Sequence, residues 1–352
     1  MRSYGTKLAG ITALPDTTPT STSAANTQTV TEKIYPVVKD EVFMSDLEKA
    51  VQYSIVREVG MQPNLDEEKT KALIRYTQAL ISFYPNMRAS MTNFLIPLQD
   101  WIIKNKHSKI SSTQYNEKVR LLSKHHQPFS ATPSNWTGCA GSQSKFRGYP
   151  CSLWTLFHTL SVNAANKDAA FKKGGVSTVA KAMEGYISNF FSCRDCAEHF
   201  ANHVSQLGSL PSTGDQSIIW LWRVHNTANL MLAGDPTEDP TRPKIQWPSQ
   251  ENCPMCRADE NSGTNLLNLD GEFWDQKQVL SYIKKVYKKT NLINNLESDK
   301  EMEIFENNPD LGSNEDKNKS DFETELEKKT DNPDISVKSA SPLKKHMNVL
   351  LI

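Results

Sequence analysis

The stretch Phe190-Phe191-Ser192-Cys193-Arg194-Asp195-Cys196-Ala197-Glu198-His199-Phe200-Ala201-Asn202-His203 is of helix length and carries a C-x-x-C pair. On a helix, residues three and four apart share a face. Cys193 therefore meets Cys196, while Asp195 with His199, and Cys196 with His199, fall on the same side. Ser192 is the candidate N-cap. The partial positive charge of a helix N-terminus stabilises a thiolate, so two cysteines placed there can cycle between dithiol and disulfide. The pattern describes a reactive surface rather than a buried stripe. Taken alone, a C-x-x-C is equally a structural disulfide or half of a zinc site.

All six cysteines, Cys139, Cys151, Cys193, Cys196, Cys253 and Cys256, fall in one part of the 352-residue chain. An even, clustered set is a disulfide framework in an oxidising compartment or metal chemistry in a reducing one. A zinc site would join the two C-x-x-C pairs. The intervening residues 197–252 far exceed the roughly 15 to 20 of the usual pattern, and Cys139 and Cys151 would be left over.

Lys plus Arg and Asp plus Glu are 40 each, so no basic field points to nucleic acid, and 38% hydrophobic residues are too few for the whole chain to pack. No apolar run reaches the roughly 18 residues of a membrane span. Residues 1–15 hold Arg2 and Lys7 but only a broken apolar patch, short of a signal-peptide core. The expectation is a chain that is not secreted, or one whose true beginning is missing.

Along the chain, 1–40 is rich in Thr, Ser, Ala and Pro and reads as a flexible arm. Residues 41–126 read as a small helix-rich region. Ser45-Asp46-Leu47-Glu48 is a capping box that opens a helix on Leu47, Val51, Ile55 and Val59, closed by Gly60. A second helix runs from about Asp66 through Leu73, Tyr76, Leu80 and Tyr84 to Pro85, and two more cover 91–104, interrupted by Pro97, and 112–124. Nothing in this block carries chemistry. Pro128, Pro133, Gly138, Gly141 and Gly148 mark a linker over 127–148, which includes the glycosylation sequon Asn135-Trp136-Thr137.

Helical patterning resumes at Ser152, with Trp154 and His158 four apart beside the stripe Leu153, Phe157 and Leu160. Further helices are expected over 183–191, leading into the C-x-x-C helix, and over 217–232. The latter puts Trp222, Asn226 and Asn229 near one face, and two asparagines inside a helix suggest polar groups held for a purpose. A stiff loop with four prolines then ends on Lys244 and Trp247, followed by Cys253-Pro-Met-Cys256 and a last amphipathic helix over 273–287. No β-alternation of useful length is visible. From 291 to 352 acids outnumber lysines and aromatics are scarce, which reads as a disordered acidic tail.

The runs F-R-G-Y-P-C-S-L-W-T-L-F-H, S-C-R-D-C-A-E-H-F, W-L-W-R-V-H-N-T-A-N, P-K-I-Q-W-P and C-P-M-C, in this order, resemble the Erv/ALR flavin domain of the quiescin sulfhydryl oxidases. The likeness covers about 136–289, within a domain expected over 127–290, and 41–126 is similar to the helix-rich region that precedes it. The resemblance implies an all-α fold: a four-helix bundle with a short fifth helix that binds FAD, oxidises thiols to disulfides and reduces dioxygen to hydrogen peroxide. It implies Cys193 and Cys196 as the redox pair. Flavin contacts would fall on Arg147, Trp154, His158, Asp195, His199, Trp222, His225, Asn226, Asn229, Lys244 and Trp247, with no metal. Indoles can stack on planar rings, imidazoles and amides can bond polar edges, and Arg147 and Lys244 can pair with a pyrophosphate.

By the same resemblance, Cys139 pairs with Cys151 and Cys253 with Cys256 as structural disulfides, although the second could instead be an outer shuttle pair. The family's thioredoxin-like domains with their C-G-H-C, its signal peptide and its membrane span are not visible. The expectations that follow are a monomer, with the helix-rich block covering the face through which isolated domains of this kind pair, and a secretory (Golgi or extracellular) location by resemblance. Small dithiols would be oxidised faster than reduced proteins, which a separate thioredoxin-like protein would serve. A zinc-stabilised module and a catalytically silent interaction module are the alternatives.

Overall fold

The computed structural model describes residues 39–130, 135–258, 266–269 and 271–296. The expected arm up to residue 38, Pro133 of the linker and the acidic tail beyond 296 lie outside the described residues.

The first rod is α1 (Met44–Gln52), continued without a break as a π-helical turn, Tyr53–Val59. Leu47, Val51, Ile55 and Val59 are buried along it, as their spacing predicts. The expected capping box does not form. Phe43 is the N-cap and makes no side-chain cap bond. Asp46 and Glu48 are instead buried, and they accept backbone N–H groups of the linker. Asp46 takes those of Thr137 (2.7 Å) and Cys139 (2.9 Å), and Glu48 takes that of Ser130 (2.6 Å) and pairs with Arg88. Distant donors outcompete the local cap because a buried carboxylate needs several charge-assisted bonds to offset its desolvation.

Helices α2 (Glu67–Phe83), α3 (Ala89–Lys104) and α4 (Ser112–His126) complete this block. Asp66 caps α2 by accepting from Lys69 N–H, and Ser111 with Gln114 forms a true capping box on α4. Helix α3 runs through Pro97, with Phe94, Leu95, Leu98 and Ile102 buried on either side of it. Two-residue strands β1 (Asn64–Leu65) and β2 (Ile110–Ser111) pair antiparallel across the loops.

The second bundle consists of α5 (Gly148–Ala164), a four-residue α6 (Ala169–Lys172), α7 (Thr178–Phe190), α8 (Arg194–Gln206) and α9 (Gly214–Leu232). A short α10 (Gln276–Val286) closes it. The expected start of α7 at 183 moves back to Thr178, because Ser177 supplies a cap to Ala180 N–H. Phe273 and Trp274, expected in the last helix, instead lie in β4 (Glu272–Asp275), which pairs antiparallel with β3 (Leu266–Leu269); Asp275 caps α10. Among the described residues the fold is helical, with two short ladders.

The two blocks share one core. Helix α2 lies directly on α7. A Cβ on Gly185 would come within 3.3 Å of Ala72 Cβ, so the close approach favours glycine there. Tyr76 and Tyr186 pack with ring centroids 4.4 Å apart, and the Tyr149 and Tyr186 hydroxyls are hydrogen-bonded at 2.6 Å. The segment 291–296, assigned by composition to the tail, is laid beside the first rod. Ile293 exchanges backbone bonds with Val42 and Met44, and Asn295 bonds Ser45. Among the described residues no helix is long and apolar enough to cross a membrane.

Asp46→Ala strands the buried Cys139 N–H and removes the partner of the Thr137 N–H, and should lower stability by about 3 kcal/mol. Calorimetry should show the melting temperature falling by roughly 6–12 °C; a shift within a degree would show that the linker is held by other contacts.

Candidate redox site

Helix α7 ends at Phe190, and a three-residue turn leads into α8. Ser192 was the expected cap, but Cys193 takes that position: its Sγ accepts Cys196 N–H at 3.3 Å. The Ser192 N–H is engaged elsewhere, by Glu58 at 2.6 Å. Cys193 and Cys196 form a disulfide at the positive end of α8, where reduction to thiolate is electrostatically favoured. Cys139–Cys151 and Cys253–Cys256 are also disulfides, so all six cysteines are paired.

A cavity of about 210 Å³ opens beside this helix. Cys196, Asp195 and His199 of α8 line it together with Trp154 of α5, and Met183, Ile187, Val224 and Ala228 add apolar walls from α7 and α9. Cys193 is not part of that lining. The spacing of α8 thus places Cys196 with Asp195 and His199 against the cavity, while Cys193, the N-cap outside the helix proper, is turned from it.

Behind Trp154 lies an aromatic and imidazole group. The His225 ring stacks on the Trp154 indole at 4.4 Å with a 6° interplanar angle. His158 Nε2 and His225 Nδ1 share a hydrogen bond at 3.1 Å, and Tyr287, the C-cap of α10, stacks on His158 at 5.1 Å. Burial pulls the His158 pKa down to about 3 and holds that of His225 well below the imidazole range, so both are neutral at physiological pH. His158 Nδ1 is buried and has no hydrogen-bond partner among the described residues.

Trp222, Asn226 and Asn229 of α9 do not line the cavity. They clamp the proline loop. Trp222 Nε1 and Asn226 Nδ2 donate to Trp247 C=O (2.6 and 2.7 Å), Trp247 N–H donates to Asn226 Oδ1 (2.8 Å), and Asn229 donates to Ile245 C=O (3.0 Å). Two-point pairing of an amide with one backbone unit explains why asparagine is tolerated inside this helix.

Arg147 and Lys244 meet at the linker end of α5. Arg147 adopts φ 61°, a left-handed conformation rare for a residue with a side chain, and donates to Gly138 C=O at 2.9 Å. Burial lowers its pKa, and Arg242 adds to the effect. Lys244 is lowered to about 8, first by burial and then by Arg147, against the opposing pull of Glu238 and Asp239. Burial alone would raise Asp239, but bonds from Ser142 and Thr241 hold it at about 2, so it stays ionised. Sequence reasoning missed Arg242 and Asp239, although the D-P-T motif is a turn signal that could have found Asp239. A desolvated cluster of cations fits a diphosphate, the unpartnered His158 Nδ1 fits a ligand with polar edges, and the Trp154 wall fits a planar ring. The donor set matches FAD.

A helical bundle with a C-x-x-C disulfide against an apolar cavity defines the Erv/ALR class of thiol-active proteins. The family described as Erv1 / Alr matches residues 151–248, and that described as flavin adenine dinucleotide (FAD)-dependent sulfhydryl oxidase matches residues 38–142. The chain is 34% identical over 297 residues to human Sulfhydryl oxidase 1, covering 82% of this chain and 38% of that protein. It is 32% identical over 265 residues to human Sulfhydryl oxidase 2, covering 74% and 37%. The solved sulfhydryl oxidase fragment of human QSOX1 superposes with a TM-score of 0.61 at 34% identity, over 73% of this chain and 100% of the fragment. The chain belongs to the FAD-dependent sulfhydryl oxidase family. It spans less than half the length of the full relatives it matches.

A diphosphate beside Lys244 favours its charged form. Binding should therefore be strongest below pH 8 and weaken as pH rises through the free-protein value, by up to about tenfold per unit. Titration of apo-protein with ADP, which carries the diphosphate but no flavin ring, checks this. Lys244→Arg, which stays charged, should flatten the profile, and an unchanged profile would place the diphosphate elsewhere.

Proposed function

We propose that this chain oxidises pairs of thiols to disulfides at Cys193–Cys196, with FAD held beside Cys196 and dioxygen as the final acceptor. The observation that carries this reading is the asymmetry of the disulfide: Cys196 lines the cavity and Cys193 does not. Membership of the family supports the reaction class.

A substrate thiolate attacks Cys193 Sγ, the S–S bond breaks, and Cys196 leaves as a thiolate stabilised by the N-terminus of α8. A second substrate thiolate attacks the mixed disulfide and releases Cys193. The substrate has then lost two electrons and two protons, and the cysteine pair has gained the electrons. Bound FAD supplies the two-electron acceptor that reoxidises the pair and passes the electrons to dioxygen, giving hydrogen peroxide. Trp154, His158, His225 and Trp247 would border the ring, with both imidazoles uncharged. Asp195 and His199 would contact it from α8, and Trp222, Asn226 and Asn229 would hold the loop that carries Trp247. Arg147 and Lys244 would hold the diphosphate.

Cys253 and Cys256 are both buried, which supports a structural role over a shuttle. Three disulfides hold all six cysteines, leaving no thiolate for a zinc site, and they fit an oxidising compartment such as the secretory pathway. Small dithiols and reduced proteins are the proposed substrates. With α2 covering α7 within one chain, the proposed assembly is a monomer, and light scattering at micromolar protein should give the mass of one chain, whereas a stable dimer would contradict it.

Oxygen consumption with dithiothreitol tests the activity. Cys193→Ser and Cys196→Ser should each reduce it at least about a hundredfold while retaining FAD. Turnover that persists in either variant would remove the disulfide from the reaction.

A further inference from the structure

The block that precedes the redox bundle reaches the redox turn through one carboxylate. Glu58 stands at the end of the π-helical turn and is 1% exposed. Its Oε2 accepts the N–H of Ser192 at 2.6 Å, and Ser192 directly precedes Cys193. Its Oε1 is buried and has no hydrogen-bond partner among the described residues. A carboxylate kept out of water and bonded through one oxygen is destabilising for the fold alone, and π-helical turns recur at functional sites.

We propose that Glu58 is a positioning residue for Cys193–Cys196 that fixes the turn through Ser192 and takes up a proton when the disulfide is reduced. The inference rests on Cys193–Cys196 being the reducible pair of the proposed function. The groups facing Glu58 are Tyr53 and Arg57 on its own rod, Tyr149 of α5, Tyr186 of α7 and Ser192. Burial already raises its pKa, with Ser192 and Arg57 opposing, while the three phenols are pushed up and stay neutral. In the disulfide no thiolate stands nearby. Reduction creates a thiolate just past the Ser192 turn that Glu58 holds, and this like charge raises the Glu58 pKa further, so a proton is taken up in the interval between its oxidised-state and reduced-state values.

With dithiothreitol as reductant, the protein S–S bond breaks, an S–S bond forms in the reductant, and two electrons pass to the cysteines. Of the two protons released, one stays on a cysteine and the other goes to Glu58 instead of to water. Above its pKa, ionised Glu58 opposes the thiolate and makes the disulfide harder to reduce.

The test equilibrates the full chain anaerobically with dithiothreitol redox buffers from about pH 5.5 to 8.5. Thiols are trapped by alkylation, and the peptide carrying Cys193 and Cys196 is quantified by mass. Glu58→Gln keeps an acceptor for Ser192 N–H but removes the charge. Its reduction curve should lose one coupled proton over part of the range, and at the alkaline end its equilibrium should favour the dithiol at least about threefold more than wild type. Infrared difference spectra of the wild-type chain provide a readout that needs no variant: a protonated-carboxyl band should appear on reduction. Superposed curves from a folded Glu58→Gln chain, or no carboxyl band in the wild type, would overturn the proposal. Neither readout needs bound cofactor. Proton coupling without oxygen consumption would leave it standing and remove the oxidase reading.

Discussion

Three buried carboxylates on the first rod, Asp46, Glu48 and Glu58, are the constraint on which the rest of the structure depends. Each is desolvated, and each offsets part of that penalty by accepting backbone N–H groups far away in sequence: Thr137 and Cys139, Ser130, and Ser192. Cys139 anchors the linker to α5 through its disulfide with Cys151, and Ser192 opens the turn into α8. A rod with no cysteine thereby sets both ends of the redox bundle. The close contact of α2 on α7 completes the join, so the regions 38–142 and 151–248, matched by different family descriptions, share one core.

The electrostatics of the site divide along the same bundle. At the N-terminus of α8 the helix dipole favours sulfur anions, and at Arg147 and Lys244 the desolvated cations favour a phosphate anion. Between the two lie uncharged groups, Trp154, His225 and His158, whose imidazoles burial keeps neutral. A ligand with a neutral aromatic end and a diphosphate end satisfies both regions.

Much of this was legible in the sequence. The four-residue recurrence of Leu47, Val51, Ile55 and Val59 reads directly as a buried stripe, and the C-x-x-C with Asp195 and His199 reads as one helical face. Spacing could not show which partner a polar side chain chooses. Ser45 to Glu48 has the letters of a capping box, yet its acids serve a linker more than 80 positions away in the chain. Ser192 looks like a cap, yet Cys193 holds that place through its Sγ, and the Ser192 N–H is bonded to Glu58. Asn226 and Asn229 fall among the expected flavin contacts, yet their amides grip the backbone of the proline loop. The block assigned no chemistry supplies Glu58, which periodicity cannot single out because a glutamate on a helix is ordinarily solvated. The helix start at Gln276 was missed because Phe273 and Trp274 continue the apolar pattern while lying in a strand.

The account stands or falls on whether the cavity beside Cys196 holds a flavin. The most direct measurement is the visible absorption spectrum of the purified chain, with FAD quantified after denaturation. The account predicts a yellow protein with stoichiometric FAD, and with less FAD retained when Trp154 or Lys244 is replaced. A folded, colourless chain that takes up no added FAD would contradict it.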